Sequence, residues 1–225
     1  MWEIIDTGSG SAEENMRYDK ELLDALGERD KSVLHLYEWA TPSYTYGYFC
    51  KPKDLLDLDA AKRHGLSGAQ RSTGGGIILH THDMAFSVLV PRSSEFFSEN
   101  TLENYRFVNN IVIEVLKPLV DDKISLACDA PSPPPTFCMA APTQYDVIDS
   151  NGKKVAGAAQ RTTKHGFLHQ GTISIAMPDN DILIDLIGDD AAENMQKATY
   201  VMAAPLEKAR KHIRQRLTEV VERQL

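Results

Sequence analysis

Three consecutive glycines, Gly74, Gly75 and Gly76, lie between Arg71 and a short apolar run in the stretch RSTGGGIILH, which ends at His80. Backbone without side chains can approach a ligand closely and turn its N–H groups toward an anion. Arg71 alongside can pair with a carboxylate or phosphate. The stretch is no P-loop, since no Gly-Lys-Ser/Thr follows, and no GxGxxG opening a helix. Taken alone it is equally a tight turn. A second stretch is Gly152–Thr172, GKKVAGAAQRTTKHGFLHQGT. Lys153 beside a turn reads as a solvated charge, while Lys154 has the opposite strand phase, so one of the two can point inward. Ala156, Gly157, Ala158 and Ala159 are small and leave room against a sheet. A lysine there can hold an acyl carbonyl or a phosphate oxygen. Cys138, the third candidate, is either an inert thiol or a nucleophile. As a nucleophile it must ionise, and a free thiol with a pKa near about 8.5 needs a nearby cation for that.

Regular elements must position these groups. Ser11 and Glu14 form a capping box for a helix whose apolar side carries Met16, Leu22, Leu23 and Leu26, with Gly27 as a stop. Val33–Tyr37 and Ser43–Tyr48 alternate as strands around Pro42, and Asp54–Arg63 reads as a short helix closed by Gly65. Ala85–Val90 is a buried strand, and Leu102–Leu119 a helix. Pro131–Pro135 must be a loop. Tyr145–Asp149 and Lys153–Arg161, joined by Ser150-Asn151-Gly152, have the form of a type I′ hairpin. Phe167–Ala176 continues as a strand, and Asp179–Ile187 and Pro205–Leu225 as helices. His80 and His82, two apart on a strand, would share a face and could bind a metal with Asp83 or His169, although strand histidines are more often ordinary polar partners. The metal expectation is therefore none.

The 225 residues fit one large domain, of which about 70% of the extended-chain surface would be buried. A net charge of −8 argues against a nucleic-acid partner. The absence of a long apolar run argues against a membrane span, and no secretory signal is visible at the start. Three cysteines, Cys50, Cys128 and Cys138, form no CxxC pair, which suits free thiols in a reducing, cytoplasmic setting.

Together RSTGGGIILHTHDMAFS and NGKKVAGAAQR resemble the two motifs of the biotin/lipoate protein ligase and octanoyltransferase superfamily, and HGFLHQGTISI is similar to the strand that follows. The resemblance runs from Trp2 to about Met177. It implies an α+β fold: a single catalytic domain over 1–225, with a mixed or antiparallel sheet flanked by helices, a helical C-terminal part over 178–225 and no accessory domain. It implies Lys154 and Cys138 as catalytic residues. It implies Arg71, Ser72, Thr73, Gly74, Gly75, Gly76, His80, Gly157, Ala158, His169 and Gly171 as substrate-binding residues. Departures from the motif are Gln70, where a second Arg is common, and the sequence His80-Thr81-His82-Asp83. CMAAPTQYD, from Cys138, resembles the nucleophile loop of cysteine-dependent octanoyltransferases, whereas Gly76 is the residue type that ligases carry. The leading expectation is an octanoyltransferase using a carrier thioester through Cys138. The alternatives are a lipoate ligase using free lipoate and ATP with Mg, without Cys138, and a non-catalytic relative. The expected partners are a lipoyl domain of a 2-oxoacid dehydrogenase complex or the glycine cleavage H protein, and an acyl carrier protein as donor.

Overall fold

Period-two alternation along two long buried strands sets the layers of the molecule. The computed structural model describes residues 1–120, 123–128 and 137–223. In chain order the strands are β1 (Trp2–Gly10), β2 (Ser32–Trp39), β3 (Ser43–Tyr46), β4 (Ser67–Gln70), β5 (Ile77–His80), β6 (Asp83–Pro91), β7 (Ser125–Leu126), β8 (Val147–Ile148), β9 (Lys154–Thr163) and β10 (Gly166–Ser174). The helices are α1 (Ala12–Asp24), α2 (Leu58–Arg63), α3 (Thr101–Leu116), α4 (Asn180–Ile187), α5 (Asp189–Ala198) and α6 (Leu206–Glu222). Seven strands form a mixed sheet in the order β1-β2-β6-β10-β9-β8-β7, and β4-β3-β5 form a smaller one. In the larger sheet β1 and β2 pair in parallel, and every other pair is antiparallel. Among the described residues no helix is long and apolar enough to cross a membrane.

Phe86 and Val88 of β6 and Phe167 and Ile173 of β10 share one core with Val108, Val112 and Val115 of α3 and Ile213, Leu217 and Val221 of α6. Each such side chain, fully buried, contributes about 1.5–3 kcal/mol. The alternate residues Leu89 and Leu168 pack instead with Leu22, Leu23 and Leu26 at the end of α1. Tyr44 and Ile77 of the small sheet are covered by Ala60 and Ala61 of α2, Leu183 and Leu186 of α4, and Met195 of α5.

Between α1 and the large sheet lies a polar seam. Buried Asp19 accepts from His35 Nδ1 at 2.8 Å, from Ser87 Oγ at 2.6 Å and from Gln170 Nε2 at 2.6 Å. Gln170 Oε1 in turn accepts from Thr73 Oγ1 at 2.8 Å, so the seam ends on the glycine-bearing loop. The opposite face also holds a buried polar residue. His169 is fully buried, Gln160 Nε2 lies 2.8 Å from its Nδ1, and its Nε2 has no hydrogen-bond partner among the described residues.

Several elements differ from the sequence reading. The capping box forms, with Ser11 Oγ accepting from Glu14 N and Glu14 accepting from Ser11 N. The helix does not stop at Gly27 but tightens into a 3₁₀ turn over Ala25–Glu28. The expected helix over Asp54–Arg63 splits into a 3₁₀ turn, Pro52–Asp54, and α2, because the Asp57 carboxylate caps Ala60 N. Ser43–Tyr48 is strand only to Tyr46, and Tyr145–Asp149 only at β8, since Tyr145 turns with φ 68°. The 149–153 connection is not type I′. That turn needs two positive φ values, and only Gly152 has one (φ 78°). The Asp149 carboxylate holds Asn151 N and Lys153 N and favours the longer loop. His80 and His82 do not share a strand, for β5 ends at His80 and β6 begins at Asp83. β1, β4 and α5 had no clear signal. The expected loop Pro131–Pro135 lies outside the described residues.

Two outcomes follow from this framework. Asp19→Ala strips the shared acceptor from three buried donors and should cost about 3 kcal/mol or more, read as the shift in the urea midpoint. An unchanged midpoint would contradict the seam. Burial lowers the His169 pKa from 6.5 to about 3. The neutral folded form is therefore fully favoured above about pH 6.5, and that stability is lost as pH falls from there toward 3. Between about pH 7 and pH 5 the wild type should lose about 2 kcal/mol more than His169→Gln. Parallel pH dependences would refute the assignment.

Candidate active site

The backbone of residues 71–76 is laid along residues 46–48. Arg71 N donates to Tyr46 O at 2.8 Å, Tyr48 N to Thr73 O at 2.8 Å and Gly47 N to Gly76 O at 3.2 Å. The approach is so close that a Cβ on Gly47 would stand 2.1 Å from Gly75 O. Gly75 itself adopts φ 87°, open to glycine without strain. Arg71, only 3% exposed, turns back into its own loop. Its Nη2 donates to Gly74 O at 3.1 Å and Gly76 O at 2.8 Å, and its Nη1 to Thr45 Oγ1 at 2.7 Å. Thr45 Oγ1 lies 2.7 Å from His80 Nε2, and His80 Nδ1 donates to Asp83 Oδ2 at 2.6 Å. Burial works against the Asp83 charge, yet His80, the Thr172 hydroxyl and Arg210 together hold its carboxyl below the ordinary value.

Cys138 reaches this loop through the backbone. Its N donates to Ile77 O at 3.2 Å, and Gly76 N points at its Sγ, also at 3.2 Å. The sequence places Lys154 beside it by an irregularity. Val147 pairs with Ala156 but Ile148 with Lys154, so Val155 is an extra residue in β9. A bulge of this kind re-aims the neighbouring side chain. Val155 and Ala156 both enter the core, and Lys154 turns to the side of Gly157, where a Cβ would stand 2.2 Å from its Cε. Lys154 Nζ then donates to Cys138 O at 2.6 Å and pairs with Asp146 Oδ2 at 2.7 Å. Both side chains are almost wholly buried, 4% and 1% exposed. Asp146 Oδ2 also accepts from Thr143 N and Thr143 Oγ1 at 2.6 and 2.8 Å, and Asn109 of α3 holds Tyr145 O at 2.7 Å just before it. An ammonium has three protons. Among the described residues two acceptors engage it, which leaves one proton for the adjoining space.

That space is a cavity of ≈ 210 Å³ bounded by Gly74–Gly76, Cys138, Lys154 and Thr143 on one side and by Ala158, Ala159, Gln160 and Tyr105 on the other. Tyr105 accepts from Gln160 N at 2.7 Å, and burial pushes its pKa up to about 12, so the phenol stays neutral. Arg71 stands behind the loop. Burial lowers its pKa, and Cys138, Tyr37 and Cys50 oppose that shift. The Gly76 N–H and the Arg71 guanidinium beside the thiol, with the Lys154 ammonium in the wall of the same cavity, can hold negative charge on sulfur or on a carbonyl oxygen attached to it.

Of the residues singled out in the sequence, Arg71, Gly74, Gly75, Gly76, Cys138, Lys154 and Ala158 gather at or immediately behind this cavity. Ser72 offers its carbonyl to Arg161 at 3.2 Å, and Thr73 is bound to Gln170. His80 stacks on Trp39 one step behind Arg71. The space at Gly157 is taken by the Lys154 chain. Gly171 faces Phe86, and His169 lies between Phe86 and Tyr105, outside the cavity lining. Asp146, Thr45, Gln170 and Tyr105 were not singled out. Asp146 carried a weak signal in its place after Pro142, but an aspartate there reads first as a turn residue. Among the described residues no three His, Cys, Asp or Glu side chains come together as a metal set.

Residues 11–222 match the lipoyl protein ligase A/B catalytic domain family. The octanoyltransferase LipM of Geobacillus kaustophilus is 32% identical over 194 residues, spanning 83% of this chain and 69% of that protein. LipM of Lysinibacillus sphaericus is 30% identical over 206 residues, 87% of this chain and 74% of that protein. Among solved structures, a lipoate-protein ligase A bound with ATP superposes with a TM-score of 0.72 at 22% identity, covering 98% of this chain and 85% of that one. A bipartite lipoate protein ligase from Thermoplasma acidophilum, described with its E2 lipoyl domain, gives 0.65 at 21% identity over the same shares. These two share the fold. With a match that spans nearly its whole length, the chain belongs to the lipoyl protein ligase A/B catalytic domain family.

Proposed function

We propose that the protein transfers an octanoyl group from a carrier thioester to the target lysine of a lipoyl domain, by way of an acyl-enzyme on Cys138. The observation that carries this reading is the setting of Cys138. Its sulfur accepts from Gly76 N at 3.2 Å, in a cavity whose other walls include the buried Lys154. The relatives named octanoyltransferase LipM support the same reaction class. The lipoyl domain as acceptor draws support from the T. acidophilum ligase, described with such a domain.

In the first step the Cys138 sulfur attacks the thioester carbonyl. A new S–C bond forms, the old one breaks, and the carrier thiol leaves with the proton that Cys138 gave up. Charge building on the carbonyl oxygen meets Lys154 Nζ and the glycine-loop N–H groups. In the second step the neutral amine of the target lysine attacks the acyl-enzyme. The amide forms, and the amine's proton returns to the Cys138 thiol. Tyr105 and the small side chains of Ala158 and Ala159 line the wall along which an acyl chain lies.

The rival reading keeps Gly74–Gly76, Arg71 and Lys154 for an adenylate and dispenses with Cys138. The residue type at Gly76 favours it. Mass spectrometry decides between the two. Incubation with octanoyl carrier should add one octanoyl group to Cys138, and Cys138→Ser should lower transfer to an apo lipoyl domain by about a thousandfold or more. Lipoylation from lipoate and ATP that survives Cys138→Ser would establish the ligase instead. Lys154→Ala should lower transfer by about 10²–10³-fold. It also leaves Asp146 buried and unpaired, at a cost of about 3–5 kcal/mol. The double variant Lys154→Met/Asp146→Asn separates the two effects, remaining folded by thermal unfolding yet inactive. Full activity in either variant would refute the role of Lys154.

A further inference from the structure

On the side away from β10, β9 is covered by β8 only as far as Ala156. Beyond that point its edge leaves backbone donors without a ladder partner. At Gln160 a side chain takes the place of a strand, and the N–H reaches the Tyr105 hydroxyl of α3 at 2.7 Å. Tyr105 lies one helical turn before Asn109, whose Nδ2 holds Tyr145 O beside Asp146. Residues four apart share a helix face. One side of α3 therefore presents the phenol and steadies the segment that carries the partner of Lys154. An edge-on contact with His169, ring centroids 5.6 Å apart, fixes the phenol from behind.

A phenol oxygen both accepts and donates. Gln160 N occupies Tyr105 as an acceptor, and the hydroxyl proton meets no acceptor among the described residues. Buried donors are almost always satisfied in folded proteins, so an unspent one in a cavity wall points to a ligand atom. The same cavity is lined by Gly74–Gly76, Cys138 and Lys154. Lys154 brings a donor, and Cys138 Sγ already receives Gly76 N. What these walls lack is a strong acceptor. The reaction supplies one, because the thioester carbonyl oxygen turns negative as the nucleophile adds.

We propose that Tyr105 is a further catalytic residue, donating a hydrogen bond from its hydroxyl to the carbonyl oxygen of the acyl group at Cys138. The proposal rests on the transferase reading and adds a neutral donor on the wall opposite Lys154. The proton is shared and not passed on. Burial pushes the phenol pKa up to about 12, whereas a free thiol ionises near about 8.5. A departing thiolate is therefore too weak a base to take it. In both steps the oxygen gains charge when the nucleophile adds and returns it when sulfur leaves. The hydroxyl thus acts twice and ends each step unchanged.

Isotope-edited infrared spectroscopy of the acyl-enzyme tests it, with the octanoyl carrier thioester labelled by carbon-13 at its carbonyl. A hydrogen bond to the oxygen weakens the C=O bond and lowers its stretching frequency. In Tyr105→Phe the band should rise. Acylation of Cys138 and transfer to an apo lipoyl domain should each slow by about 10²-fold, the loss expected of one oxyanion donor. The pH dependence of Cys138 alkylation by iodoacetamide should stay as in the wild type. Tyr105→3-fluorotyrosine, a stronger donor of nearly the same shape, keeps an acceptor for Gln160 N and should move the band down instead. A band unmoved in both variants overturns the proposal. An alkylation profile displaced to higher pH in Tyr105→Phe would assign the hydroxyl to the sulfur and overturn it as well. Wild-type enzyme that takes no octanoyl group on Cys138 loses the transferase reading itself, a result distinct from either.

Discussion

The geometry around Cys138 rests on one buried guanidinium. Three glycines in succession have no side chains to fix them, and an unanchored loop of this kind would sample many conformations. Arg71 removes that freedom by donating to Gly74 O and Gly76 O from a single nitrogen. With those carbonyls turned inward, Gly76 N is left facing Cys138 Sγ. Arg71 is itself fixed from behind through Thr45, His80, Asp83 and Thr172, a line of contacts that crosses from the small sheet to the large one. The two sheets are therefore joined where the loop needs them to be.

A second anchor reaches the same loop from α1. Asp19 gathers His35, Ser87 and Gln170, and Gln170 holds Thr73. Buried polar groups of this sort contribute little net stability when satisfied but cost a great deal when broken. Their worth here is directional. An apolar seam would let α1 slide over β6 and β10, whereas three hydrogen bonds to one carboxylate fix its place. Lys154 and Asp146 follow the same logic, since a buried ion pair is a poor source of stability but sets a position strictly.

Much of this was legible in the sequence, for identifiable reasons. The glycine run and the small residues after Lys154 have few physical uses, and alternation gave β6 and β10 almost to their ends. Phase alone left open which of Lys153 and Lys154 turns inward. The extra residue Val155 decides that Lys154 lies beside Gly157, and a bulge leaves no mark in residue types. The partners of Arg71 were not legible either. An arginine beside glycines reads as a hand for a ligand anion, and nothing local shows that its donors are taken by its own loop. His169 was expected beside the acyl chain. It stands one layer back, against Gln160 and Tyr105 of the cavity lining, which becomes visible only once the register of β10 against β9 is known. β1 was missed because an edge strand rich in polar residues alternates weakly.

The balance of buried charge connects these features. Lys154 is neutralised by Asp146 at 2.7 Å. Among the described residues Arg71 has no such carboxylate, and its donors meet two carbonyls and a hydroxyl. Burial accordingly lowers its pKa, and what opposes the shift first is Cys138. Among the described residues the Arg71 charge beside the sulfur is thus unmatched by a carboxylate, in a place of low dielectric, where charge interactions are strong. A negative charge formed on the sulfur, or on a carbonyl oxygen bonded to it, completes the balance without any group having to move. The resting protein bears the cost of that charge, and the reacting state gains the interaction, which is the condition for an environment to favour a transition state over a bound substrate.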